Sequence, residues 1–133
     1  MEVEGRYSPT ISEFSLTQGD LERAISSLKN KTSVSVDGVS VRTVKSLPKL
    51  FSKILLPIYN KSIEQGLFPH KLKMTTIIPV EKGGDTTMMT NYRPIALIPC
   101  IAKIFEKCMK EKIWNYLGHI NFVAEHQFGF TKN

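Results

Sequence analysis

The chain has 133 residues, 41% of them hydrophobic, with 18 Lys plus Arg against 12 Asp plus Glu and a formal net charge of +6. That length suits one domain with a modest core, because a short chain buries a smaller share of its surface. The basic balance suits a polyanionic partner, and no apolar run approaches the ~20 residues that span a bilayer.

Fourteen of the basic residues are Lys, scattered from Lys29 to Lys132, which predicts a folded basic surface and not a charged arm. Cys100 and Cys108 are too few for a disulfide framework. Eight residues apart on one helix, they are separated by about 12 Å along its axis, too far to bridge. An intracellular location, nuclear or cytoplasmic, is therefore expected. The first residues also lack the basic-then-apolar layout of a secretory signal.

Residues 1–16 carry little periodic pattern and predict a weakly structured lead-in, with the folded region over 17–133. Thr17 followed by Asp20 reads as a helix start, and Leu21, Ile25 and Leu28 recur at helical spacing. Lys29 and Lys31 stand where cations suit the helix dipole. Ser33 to Gly38 reads as a loop. Ser40 is placed to cap a short helix carrying Val41, Val44 and Leu47, and Pro48 to open the next one. In that helix Leu50, Ile54, Ile58 and Ile63 form the apolar set, Pro57 predicts a kink or restart, and Gly66 ends it.

Met74 to Val80 is short and β-branched, Glu81 to Asp85 is a polar turn, and Tyr92 to Ile98 reads as the returning strand. The expectation is one antiparallel hairpin over about 74–98 in an otherwise helical α+β chain. Pro79 and Pro94 argue that its strands are edges or pair irregularly. From Pro99 to about Leu117, Ile101, Phe105, Met109, Ile113 and Leu117 step by four, with Ile104 and Cys108 widening the stripe. Glu106 and Lys110 are spaced to pair across one turn.

Asp20, Asp37 and Asp85 fall in three separate segments, so no adjacent carboxylates are present to hold a pair of divalent ions. The histidines and cysteines have no zinc-ligand spacing. No catalytic residue and no metal ligand is assigned. What the hairpin does offer is Lys82 at its turn and Arg93 on the return strand. Two such cations suit a triphosphate, Arg as a fork and Lys as a point charge, while Gly83 and Gly84 permit close backbone approach. On residue type alone the same groups read more readily as solvated charges on an exposed hairpin, since a surface cation rarely has a dedicated role.

An ordered series of motifs carries a resemblance. It runs Gly66-Leu-Phe-Pro69, Lys73, Ile78-Pro-Val-Glu-Lys82, Gly84-Asp85, Asn91-Tyr-Arg-Pro-Ile95, Lys103, Glu106 and Gln127-Phe-Gly-Phe130. Over roughly Phe14 to Asn133 this resembles the N-terminal part of non-LTR (LINE-like) retrotransposon reverse transcriptases. The resemblance implies an incomplete fingers subdomain of a right-hand polymerase, entering the palm near its end. It implies that Lys82 and Arg93 hold the incoming nucleotide, and that Gln127, Phe128, Gly129 and Phe130 lie near the template and nucleotide. RNA template, DNA primer and dNTP are the implied partners, and Mg2+ the implied cofactor of a complete enzyme. The metal-binding aspartates of the family are expected after Asn133 and an endonuclease domain before Met1, so no polymerisation is expected of this stretch alone. The alternatives are a small basic nucleic-acid-binding protein and an inactive pseudogene product.

Departures from the family pattern are Val34, Ser35 and Val36 where Pro and Gly are usual, Gly83 for a second Lys, and Thr131 for an Arg. Each weakens an expected nucleic-acid contact, which suits a decaying copy of an element.

Overall fold

The structure is a computed structural model and describes residues 14–30, 34 and 37–120. Within them the order is α1 (Gln18–Ser26), α2 (Val41–Ser46), α3 (Pro48–Gln65), β1 (Thr76–Glu81), β2 (Tyr92–Leu97) and α4 (Cys100–His119). Short 3₁₀ turns stand at His70–Lys73 and Met89–Asn91. The described residues are thus mostly helical with one two-stranded antiparallel sheet, the α+β arrangement expected.

Local chemistry fixes α1. Thr17 and Asp20 form a capping box: the Asp20 N–H donates to Thr17 Oγ1 at 3.3 Å, and the Thr17 N–H donates to Asp20 Oδ2 at 2.8 Å. At the other end Lys45 Nζ donates to the Leu28 carbonyl at 2.9 Å, and Lys107 Nζ to the Ser27 carbonyl at 3.0 Å. These two lysines, from α2 and α4, do the work expected of Lys29 and Lys31; Lys29 is exposed and Lys31 is outside the described residues. Two of the basic side chains are therefore structural.

The core joins all four helices through Leu21, Ile25, Val44, Leu55, Tyr59 and Ile104, with the Phe105 ring tilted against Tyr59 at a centroid distance of 4.7 Å. Tyr59 is fully buried and its hydroxyl donates to the Ile101 carbonyl at 2.6 Å, tying α3 to α4. Leu16 is also buried, held by the Asn60 side chain, which accepts from its N–H at 2.8 Å and donates to its carbonyl at 3.0 Å.

The buried face of helix α3 departs from its sequence reading. Leu50, Ile54 and Ile58 are 50%, 52% and 47% exposed, while Ser52, Leu55, Tyr59 and Ser62 face the core. The helix has apolar residues on both sides, so periodicity alone selects neither. Ser52 and Ser62 are small and satisfied, donating to the Lys49 and Leu67 carbonyls, so that face is buried without leaving their hydroxyls unpaired. Pro57 neither stops nor restarts the helix. It sits on the exposed side, where the Lys53 carbonyl it leaves without a donor has access to water. Leu47 is 51% exposed and joins α2 to α3, and it does not pack beside Val41 and Val44.

Helix α4 packs by its first half only. Cys100, Ala102, Ile104, Phe105 and Cys108 are buried, no later residue of the helix is, and Ile113 is 48% exposed. Glu106 and Lys110 form no ion pair among the described residues; Lys112 instead reaches Asp20 at 3.1 Å.

Candidate nucleotide-binding ribbon

The strands of the ribbon pair in unbroken register, Thr76 opposite Leu97 through Glu81 opposite Tyr92. Pro79 and Pro94 lie directly across from each other in regular pairing, and both strands are edges, the first of the two arrangements expected of them. The Lys82 N–H donates to the Asn91 carbonyl at 2.7 Å, which makes 82 and 91 a hydrogen-bonded pair. By alternation 79 and 94 are a non-hydrogen-bonded pair, whose amides point away from the partner strand. Each proline thus removes an outward N–H from the middle of one free edge, the position where a strand tolerates it.

The same alternation settles where the two cations lie. Side chains at 76, 78, 80, 93, 95 and 97 share one face, and Lys82 continues that parity one pair beyond the strand. Arg93 and Lys82 therefore occupy one face at the distal end of the ribbon, as diagonal neighbours with backbone positions about 7–8 Å apart. Ile78, Val80 and Ile95 lie on that face toward the base. Neither strand contains a buried residue. The Arg93 side chain has no hydrogen-bond or ion-pair partner among the described residues, and Lys82 Nζ has one, the Thr90 carbonyl at 3.2 Å.

Residues 82–91 form an ordered loop, longer than the turn read from Glu81 to Asp85. Gly83 and Gly84 take φ of 97° and 98°, which glycine alone adopts readily. Asp85 Oδ1 accepts from the Thr87 N–H at 2.9 Å and the Thr87 hydroxyl at 2.7 Å, and these bonds hold its carboxyl below the usual range. Asn91 Nδ2 donates to the Asp85 carbonyl and the Tyr92 hydroxyl to the Thr86 carbonyl, both at 2.8 Å. Asn91 and Tyr92 entered the sequence reading only as parts of a motif; that they order the loop has no signature in spacing.

Other regions offer less. An apolar groove of about 350 Å³ runs between Ile63, Leu67, Phe105 and Ile113, and no charged side chain lines it. Among the described residues no three His, Cys, Asp or Glu side chains gather as a metal site. Asp20 and Asp85 are committed to Thr17 and Thr87 and lie in separate parts of the fold, so they do not fit a magnesium pair. Gln127, Phe128, Gly129 and Phe130, with Ser35, Val36 and Thr131, lie outside the described residues. No described helix is long and apolar enough to cross a membrane.

A helical base thus carries an exposed ribbon with two cations on one face. Over most of its length the chain is homologous to non-LTR retrotransposon RNA-directed DNA polymerases. It is 31% identical over 114 residues to the polymerase of transposon BS of Drosophila melanogaster, covering 85% of this chain and 13% of that protein. It is 27% identical over 129 residues to the polymerase of the mobile element jockey of the same fly, covering 96% and 14%. The polymerase of the X-element is 30% identical over 95 residues, covering 71% and 10%. The chain thus spans between a tenth and a seventh of the length of these relatives, and corresponds to a fragment of such a polymerase. No protein-family model matches it.

Proposed function

We propose that this stretch serves as the fingers of an RNA-directed DNA polymerase, its ribbon reaching over template and incoming nucleotide. Lys82 and Arg93 would hold the triphosphate of a dNTP, Arg93 by a two-pronged contact and Lys82 by a point charge. The observation that carries this is the register, which puts both cations on one face at one end of an exposed ribbon. The relatives' names add the class of reaction, phosphoryl transfer along an RNA template onto a DNA primer. Magnesium, template contacts by Gln127 to Phe130, and chemistry itself are assigned to residues beyond those described. An intracellular setting, nuclear or cytoplasmic, fits both that substrate and two buried free thiols.

Calorimetric titration of the purified chain with dNTP tests the reading. Arg93→Ala should weaken binding about tenfold or more, since a hydrogen bond to a charged group contributes about 1.5–3 kcal/mol. Binding should also weaken steeply as salt rises. Triphosphate affinity unaltered by both Arg93→Ala and Lys82→Ala would refute it.

A further inference from the structure

We propose that Asn91 and Tyr92 are positioning residues, which fix the loop at 83–91 so that the Lys82 ammonium is presented beside Arg93. This rests on the triphosphate-holding role of those two cations.

The starting observation is exposure. From Lys73 to Ala96 every residue is exposed except Asn91 and Tyr92, which are half-buried. A ten-residue connection with no apolar interior has little to order it, since two-stranded ribbons are marginal in water. Here the interior consists of two polar side chains. Asn91 reaches back across the loop to the Asp85 carbonyl and Tyr92 to the Thr86 carbonyl, so two adjacent residues on the return limb staple two adjacent residues on the outgoing one.

The glycine beside the staple fits it closely. A Cβ at Gly84 would lie 3.1 Å from Asn91 Nδ2, and the backbone there has φ of +98°. The backbone conformation favours glycine there, and a Cβ would crowd the Asn91 amide as it passes. Asp85 completes the outgoing limb by turning its carboxylate inward to Thr87. Without that turn the Asp85 and Thr86 carbonyls would have no fixed place for Asn91 and Tyr92 to find.

The consequence for Lys82 follows from Thr90. The Lys82 ammonium is seated on the Thr90 carbonyl, and Thr90 immediately precedes the stapling pair. While the staple holds, this long side chain is kept at the tip on the Arg93 face, and a phosphate oxygen replaces one weak carbonyl contact. When the staple is lost, Thr90 wanders and Lys82 must be ordered anew on each binding event. The cost of ordering a lysine side chain is then paid at binding and not in folding.

The test is a double-mutant cycle read by calorimetric titration with inorganic tripolyphosphate. Tyr92→Phe removes one hydroxyl and keeps the ring. It should weaken binding about fivefold, the loss of one net hydrogen bond of about 1 kcal/mol. Asn91→Ala should do the same. In a Lys82→Ala background neither change should weaken binding further, whereas in an Arg93→Ala background both should retain their effect. The helical signal should melt at the same temperature in every variant, because no ribbon residue from Lys73 to Ala96 is buried. Heteronuclear order parameters at Gly83 and Gly84 should fall in Tyr92→Phe.

An equal loss in the Lys82→Ala background, or no loss in the wild-type one, would overturn the positioning role and leave the cations' role standing. Binding indifferent to Lys82→Ala and Arg93→Ala alike, or no binding by the wild-type chain, would overturn both.

Discussion

Asp20→Asn is the perturbation that probes the helical base most directly. The substitution keeps side-chain volume and removes the negative charge, so packing is held constant while the capping box and its ion pairs are altered. The Asp20 carboxylate accepts from the Thr17 N–H at 2.8 Å, the Thr17 hydroxyl at 2.9 Å, Lys112 Nζ at 3.1 Å and the Arg23 guanidinium. Arg23 is 65% exposed and contributes little; Lys112 is 31% exposed and contributes more. Losing a charge-assisted cap and a partly shielded ion pair should cost about 2 kcal/mol. In a chain of this size that lowers the melting temperature by about 8 °C. Thermal melts followed by circular dichroism check it, and Thr17→Ala combined with Asp20→Asn should cost less than the sum of the two, since they share bonds.

The pH dependence gives a second, independent readout. Burial alone would raise the Asp20 carboxyl, but the Thr17 bonds and Lys112 outweigh it and hold it below the ordinary 3.8. A carboxyl lowered by folding stabilises in full above its unfolded value and loses that contribution as pH falls through the folded one. The gap between wild type and Asp20→Asn should therefore be constant from about pH 7 to 5 and close toward pH 2. A gap of the same size at pH 2, or none at pH 6, would refute this account of α1.

The orientation of α3 is tested by urea unfolding: Leu55→Ala should cost about 3 kcal/mol, while Ile54→Ala and Ile58→Ala, on the exposed side, should cost less than about 1 kcal/mol. The reverse ranking would restore the sequence reading. Gly66 ends α3 at φ of 63°, so Gly66→Ala should cost about 1 kcal/mol by the same assay, and a neutral result would mean the helix ends otherwise. Cys100 and Cys108 are buried, and burial raises both thiols, Cys108 to about 11, so labelling by an alkylating reagent at pH 8 should be slow until denaturant is added. Rapid labelling of the folded chain would contradict their placement.

What could be read from the sequence was whatever is encoded within one turn of chain. Thr17 with Asp20, Ser40, Pro48 and Gly66 each mark a helix end by side-chain or backbone chemistry that acts over three or four residues, and each stands where expected. The ribbon was legible because the β-branched run Met74 to Val80 is bounded by the turn signals of Glu81 to Asp85. The face of α3 was not, because Leu50, Ile54 and Ile58 compete with Leu55 and Tyr59, and the buried side includes two serines, Ser52 and Ser62, that a hydrophobic pattern does not count. Nor were the lysines that finish α1, since Lys107 acts from 80 residues away. At the candidate site, residue type suggested Lys82 and Arg93, but only the register showed that they share a face. The staple by Asn91 and Tyr92 joins polar groups six residues apart and leaves no periodic trace.

The two halves of the structure are held by different physics, and this limits how the ribbon can bind. The base has a core and capped helices, whereas the ribbon has only ladder bonds and a polar staple. A ribbon of that kind ordinarily invites a third strand along either edge. Pro79 and Pro94 remove the outward N–H at the middle of both edges at once, so a strand added to either would meet a missing donor halfway. Pairing along the edges is therefore disfavoured, and the faces remain. Of those, one carries Glu81 at its distal end opposite Tyr92, and the other carries Lys82 and Arg93 beyond Ile78, Val80 and Ile95. Only the second face offers a polyanion attraction at the tip with apolar surface behind it, the order in which the phosphates and then the sugar and base of a nucleotide would be met.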